Sequence, residues 1–397
     1  MDRGCEIASM VSTVASPPRR RLCEPGESAR AARENEGMPS STPSPRFGAR
    51  VRAEAAHVAR SLATFGPARG RRWPLALQAG LAMAVPIVAL AASGHADLAL
   101  LSATGAFAVI YGGWLRPRER ARVAPLLALV LWVCAAGGTL AAQGGVAFVL
   151  GGVLVTTIVV SALAGAVSLG PPGPVFFVLV FGLSAQITSL HGGARAVDPA
   201  VYLAVVAASG AFACLLVAAP LLLRRYRRER PRPRAELFPL QWSALAQTLT
   251  LRAAIVGVAG VAAAVVVDPA RSYWIVCAGL AVVGLPVGRR DAATRGVHRT
   301  VGTVVGGALY LGLAFVPLPV WALGLLLGVL QFAIEMVVVR HYALALVFIT
   351  PLVLLLIGAA TGTAETLPLA LERILDTLVG AAVGTAAALA VRLRAGD

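Results

Sequence analysis

Residues 146–168 read Val146-Ala147-Phe148-Val149-Leu150-Gly151-Gly152-Val153-Leu154-Val155-Thr156-Thr157-Ile158-Val159-Val160-Ser161-Ala162-Leu163-Ala164-Gly165-Ala166-Val167-Ser168, without a single charge. Wound as a helix at about 1.5 Å per residue, the stretch covers the ~30 Å of a bilayer's hydrocarbon core. It is apolar all round, so it has no face to turn to water, and a membrane or a protein interior must surround it. Eleven similar runs flank it. Five lie near 75–92, 97–114, 123–142, 174–190 and 200–223, and six near 251–267, 272–287, 301–316, 320–339, 342–358 and 368–391. The pattern predicts an all-α, polytopic transmembrane helix bundle of about twelve spans. Several runs fall short of the ~20 residues that cross a bilayer, so one or two fit re-entrant or internally packed segments.

Composition agrees. Of 397 residues 58% are hydrophobic and 14% charged, whereas soluble chains are roughly 45–50% apolar and about 25% charged. That balance excludes a soluble enzyme or a free nucleic-acid-binding module, despite a formal net charge of +16. Every one of the 35 basic residues is arginine. A P-loop needs a lysine for the nucleotide phosphates and a Schiff base needs a lysine amine, so neither chemistry is available to this chain. The five cysteines (Cys5, Cys23, Cys134, Cys214, Cys277) are odd in number, scattered and without a C-x-x-C, which argues for small packing residues over a disulfide framework. The histidines have no ligand spacing. No cofactor or metal is expected, and no nucleophile–base pair suggests an enzyme.

Residues 1–46, with Ser16-Pro17-Pro18-Arg19-Arg20-Arg21, are too polar to bury a core and are expected to be disordered. They lack the apolar region of a signal peptide, and Met1, Met10 and Met38 are all candidate starts. Within 47–72, Phe47, Val51, Ala55, Val58, Leu62 and Phe65 recur at helical spacing among arginines, as in a basic amphipathic interfacial segment. Residues 73–223 and 251–397 then form two halves of six runs each, joined by the basic stretch 224–250. Arginines crowd before run one, after run two (Arg116, Arg118, Arg120, Arg122), after run six (Arg224–Arg234), after run eight (Arg289–Arg299) and at the end (Arg392, Arg394). An even number of spans puts all of these on one side, the cytoplasmic side by the positive-inside rule. Both termini are then cytoplasmic, the membrane is the plasma (inner) membrane, and the two six-span halves run parallel.

An ionisable group inside a bilayer costs at least a few kcal/mol and is a functional candidate by default. The first six runs contain almost none, Asp97 sitting at an edge. The second half has Glu335, with Arg340 five residues on, and the set Glu372, Arg373 and Asp376. Spacing i, i+4 puts Glu372 and Asp376 on one helical face. In one reading, Asp376 or Glu335 takes up and releases a proton while Arg373 or Arg340 attracts an anionic substrate. In the other, Arg373 and Asp376 neutralise each other and pin the helix to its neighbours. The turn Asp268-Pro269-Ala270-Arg271-Ser272-Tyr273-Trp274 reads as an aromatic headgroup anchor before a substrate-stacking site. The pairs Gly302/Gly306, Gly324/Gly328 and Gly380/Gly384 suit close helix contacts.

Three stretches of the second half carry a family likeness. They are Arg271-Ser272-Tyr273-Trp274-Ile275 with the basic loop Arg295–Thr303; Glu335 with Tyr342-Ala343-Leu344-Ala345 and Phe348-Ile349-Thr350-Pro351; and Glu372-Arg373-Ile374-Leu375-Asp376-Thr377-Leu378-Val379-Gly380. Together they resemble the fusaric acid resistance (FUSC) family of integral membrane transporters, relatives of the bacterial aromatic acid exporters. In the first half Gly170-Pro171-Pro172-Gly173-Pro174 resembles the proline-rich approach to that family's fifth span. The resemblance implies transport, and it adds Tyr342 and Thr350 to Glu335, Asp376, Arg373, Glu372 and Arg340 as pathway candidates. It implies a proton-coupled exporter of aromatic or other organic anions. A passive organic-anion channel, as in a related plant family, is the alternative. A third reading is a structural or regulatory protein holding anionic lipid through Arg224–Arg234. The expected partners are a small organic anion and anionic lipids, with no nucleic acid; a homo-oligomer is open.

Overall fold

A computed structural model describes residues 47–67, 70–191, 194–195, 197–361 and 366–393. The chain divides into residues 1–55 and 56–397, and the first unit is described only from residue 47, where α1 (Phe47–Ala63) begins. The expectations for residues 1–46 and for Arg394 lie outside the described residues. The helical spacing read over 47–72 corresponds to α1.

Each apolar run has its helix. The first six are α2 (Trp73–Ala92), α3 (Ala96–Ile110, with 3-10 turns), α4 (Pro117–Gln143), α5 (Val146–Ala166), α6 (Val175–Thr188) and α7 (Pro199–Ala218). The second six are α8 (Ala244–Val267), α9 (Pro269–Val283, opening as a 3-10 turn), α10 (Arg289–Ala314), α11 (Val320–Val337), α12 (Tyr342–Thr361) and α13 (Thr366–Ala390). Between α6 and α7 a two-residue antiparallel hairpin pairs Leu190 with Arg195. Among the described residues, seven helices are long and apolar enough to cross a membrane: α2, α4, α5, α7, α8, α11 and α13.

Several boundaries move. Arg118, Arg120 and Arg122 belong to the first turns of α4, Arg289 to Arg299 to α10, and α8 begins at Ala244, inside the stretch read as a linker. Arginine is a good helix former, so a run of it does not end a helix. Pro117 opens α4 at its first position, where the missing N–H costs nothing, and the Arg116 amide donates to Glu119 Oε2 at 3.2 Å. The first half is therefore not free of buried charge: Glu119 and Arg120 are both buried.

The short helices lie inside. Residues 99–109 of α3 are all buried, as are nearly all of α6 and of α9 from Ser272 to Val283. Long helices surround them and carry apolar stripes outward at i, i+3/i+4 spacing: Leu126, Leu129 and Val133 on α4, Val155, Val159 and Leu163 on α5, and Leu371, Leu375 and Leu378 on α13. Such exposed apolar stripes suit lipid, not water.

The packing of the first six helices recurs in the second six. The first helix of each half packs on the fourth of the other, α2 on α11 and α8 on α5. The third packs on the fifth and sixth, α4 on α6 and α7, and α10 on α12 and α13. The second packs on the sixth, α3 on α7 and α9 on α13. All three glycine pairs serve these internal crossings. Gly302/Gly306 meets α12, Gly324/Gly328 meets α2, and Gly380/Gly384 meets α9. Without hydrophobic drive between helices in lipid, close van der Waals contact has to hold such crossings.

Several arginines near the helix ends donate to backbone carbonyls or pair with a carboxylate there. Arg252 Nη2 and Nε donate to Val391 O at 2.8 and 3.0 Å, and its Nη1 to Val287 O at 2.9 Å. Arg118 Nη1 donates to Arg227 O at 2.7 Å, and Arg232 pairs with Glu119 at 2.9 Å. Cationic donors suit the orphan carbonyls and the negative end of the helix dipole.

A Cβ on Gly380 would stand 2.2 Å from Ile275 O, whereas one on Gly151 meets nothing within 4 Å. Overpacking at a closed crossing costs about 1–3 kcal/mol or more. Gly380→Val should lower the thermal unfolding midpoint in detergent and Gly151→Val should not; equal midpoints would contradict the α9–α13 crossing.

Candidate functional site

The α9–α13 crossing assembles most of the buried charge. Asp268 caps the 3-10 turn by accepting from the Ala270 amide at 2.9 Å, which fixes Arg271 at the start of α9. Arg271 then pairs with three carboxylates: Asp268 at 3.2 Å, Asp376 at 3.6 Å, and Glu372. Glu372 and Asp376 reach the same guanidinium because four residues bring a helix nearly back to the same face. Asp376 is 0% exposed, and neither of its oxygens accepts a hydrogen bond among the described residues.

Arg373 is turned about 100° from Glu372 around α13. It lies over the Trp274 ring, 4.6 Å from the centroid, in a cation–π contact. The ion partner of Asp376 is thus Arg271, from another helix, in place of its near neighbour Arg373. Tyr273 and Trp274 are both buried, so the reading of this turn as an exposed headgroup anchor is corrected: α9 is an interior helix and carries its aromatics inward. Tyr273 Oη donates to Gln186 Oε1 of α6 at 2.6 Å, joining the two halves. Arg271 was the site residue that sequence spacing missed; the signal present was Asp268-x-x-Arg271 at the head of an apolar run.

Glu335 stands apart from this cluster. It is 3% exposed near the end of α11, where Arg72 Nη2 reaches its Oε2 at 3.1 Å and Arg72 Nε its backbone oxygen at 3.0 Å. Arg120, held by Gln78 Oε1 and the Tyr111 and Val109 carbonyls, is near enough to act on it electrostatically. Arg340 is not its partner. Five residues carry the chain about 140° past a full turn, and Arg340 instead lies over Phe65 at 5.5 Å with its Nε donating to Gly66 O at 3.3 Å.

The two remaining candidates divide. Tyr342 Oη accepts from Arg299 Nη1 at 3.1 Å, with Arg295 over its ring at 5.8 Å. Thr350 Oγ1 donates back to Leu346 O at 2.8 Å, and Gly306 of α10 packs against its Cβ. Thr350 is a packing residue beside Pro351, which has no N–H to continue the helix. So Asp376, Glu372 and Arg373 come together, while Glu335, Arg340, Tyr342 and Thr350 occupy other places. The equivalent helices of the first half hold a neutral set in which Tyr202 Oη meets Ser184 Oγ at 2.8 Å and Thr104 Oγ1 at 3.3 Å.

Residues 251–387 match the family described as fusaric acid resistance protein-like. No curated protein and no solved structure matches the chain. The matched region begins in α8 and ends in α13, and it contains Arg271, Glu335, Glu372, Arg373 and Asp376. Taken with the membrane-capable helices, the match points to a multi-pass membrane protein in which residues 251–387 are similar to the fusaric acid resistance protein-like family.

Proposed function

We propose that the protein is a secondary, proton-coupled exporter of organic anions, aromatic ones among them. The observation that carries the reading is Asp376: fully buried in the transporter-like half, ion-paired to Arg271, and accepting no hydrogen bond among the described residues. As a carboxylate it holds Arg271 against α13. As a neutral acid it releases that guanidinium to Glu372 and Asp268, which also reach it. One proton thereby changes which groups tie α9 to α13, and that is the kind of local change a coupled carrier needs. Glu335 has a different part in this reading. With Arg72 it clamps the start of α2 to the end of α11, one of the contacts between the two halves.

The arginine-rich end faces the cytoplasm in this proposal, and the membrane is the plasma membrane. Arg118 and Arg232, at the start of α4 and on the basic stretch that meets it, support that reading.

The test is transport of benzoate in proteoliposomes under an imposed pH gradient. Asp376→Asn keeps size and removes the titration, and gradient-driven flux should fall about tenfold or more, the effect of losing a ~1.4 kcal/mol interaction. Undiminished gradient dependence in this variant would sink the proton-coupling proposal. Voltage-dependent single-channel currents without any gradient would replace the carrier with a channel.

Glu335 is checked separately by stability. Arg72→Gln strands a buried carboxylate. Breaking a wholly buried pair costs about 3–5 kcal/mol, and the partial exposure of Arg72 reduces this to about 1–3 kcal/mol. Adding Glu335→Gln should restore much of the lost thermal midpoint; an additive double variant would show that the two residues do not act as a pair.

A further inference from the structure

Two buried arginines lie beyond the ion pairs of Arg271. Arg299, on α10, is 6% exposed and Arg373, on α13, is 5% exposed. These helices pack closely, Gly307 facing the Ile374 side chain. The two guanidiniums are near enough to act on each other electrostatically, and both act on Cys277 of α9. Like charges so placed repel, and desolvated charge is expensive unless an opposite charge meets it.

The protein supplies neither cation with a carboxylate contact among the described residues. Arg299 Nη1 donates to Tyr342 Oη at 3.1 Å, but its Nε has no hydrogen-bond partner among the described residues. Among the described residues Arg373 Nε and Nη1 have none, nor do Thr377 Oγ1, four residues further along α13, and Trp274 Nε1. All of these groups can donate. Of the carboxylates nearby, Asp376, Glu372 and Asp268 pair with Arg271. The surplus is therefore positive and rich in donors, and it sits against the face of an indole.

We propose that Arg299 and Arg373 form the seat for the carboxylate of a small organic anion, with Trp274 as one wall. Guanidinium forks match a planar carboxylate and bind it through paired N–H groups. The cation–π contact holds Arg373 in place by its carbon centre and leaves its N–H edge for the ligand. Thr377 and Trp274 Nε1 add neutral donors at the margin. Asp376, three residues along α13, is close enough that its protonation state alters the field at the seat. This inference rests on the transport reading above and names where that reading's anion is held.

Binding is measured apart from transport, on the full-length protein in nanodiscs with no gradient. Sodium benzoate is titrated by calorimetry and by thermal shift, with sodium phosphate and sodium chloride as parallel arms. Benzoate should bind and stabilise the wild type. Arg299→Gln and Arg373→Gln should each weaken it about tenfold or more, as loss of a charged fork does. Arg299→Lys and Arg373→Lys keep the charge but not the fork and should fall between wild type and Gln, which also covers a Gln variant that does not fold. Asp376→Asn should still bind benzoate. Unchanged benzoate affinity in all four arginine variants would overturn the seat, and so would a wild type that binds no benzoate. Phosphate binding as tight as benzoate, with the same arginine dependence, would overturn the carboxylate assignment. If Asp376→Asn transports normally while the arginine variants lose binding, the seat stands and the proton-coupling proposal falls.

Discussion

Gly380 and Gly384 let α13 lie directly on the backbone of α9, and the chemistry of the second half follows from that contact. A side chain at Gly380 would run into the Ile275 carbonyl, and one at Gly384 into the Gly279 carbonyl at 2.7 Å. With the helices this close, Arg271 of α9 reaches Glu372 and Asp376, and Arg373 of α13 reaches the Trp274 ring. A wider crossing would leave each of these charges alone in a region without water. There an unpaired ion costs several kcal/mol. The glycines and the charges therefore depend on each other. Small residues permit the approach, and the approach makes the buried ions tolerable.

The two halves share packing but not chemistry. α3 lies on α7 as α9 lies on α13, with a close backbone approach at Gly105 as there is at Gly380. In the first half this framework is filled by Tyr202, Ser184 and Thr104, neutral groups that satisfy one another. In the second, α9 and α13 carry two buried guanidiniums, Arg271 and Arg373, and the fully buried carboxylate of Asp376. A satisfied neutral network stiffens a core, whereas an unsatisfied charged one can change partners. The first half thus reads as scaffold, and α2 and α8, each lying on the other half's fourth helix, bind scaffold and site into one unit.

Legibility differed between fold and site for physical reasons. The period and length of apolar runs located twelve helices, because in lipid every backbone group must be satisfied within its own helix. The ends were less legible. Arginine marks a membrane face whether it stands in a loop or on the first turn of a helix, so Arg118 and Arg299 looked like loop residues and are helical. Glu372 and Asp376 were readable as one face because four residues nearly complete a turn. Arg271 was not, since Glu372 and Asp376 lie about a hundred residues away and the local pair Asp268-x-x-Arg271 does not by itself distinguish it from a headgroup arginine.

The sequence by itself determined the class of protein, the place and order of its apolar helices, the absence of lysine chemistry, and the region in which buried charge is concentrated. Those properties follow from composition and from local periodicity, which any one segment carries. Tertiary structure decided the pairing: Arg271 with Asp376, Arg72 with Glu335, Arg373 with Trp274, and Arg299 with Tyr342. It also decided that Tyr273 and Trp274 face inward and that Thr350 is spent on its own helix. Partners come from different helices, and which helices meet depends on close packing across the whole bundle. No single segment encodes that choice.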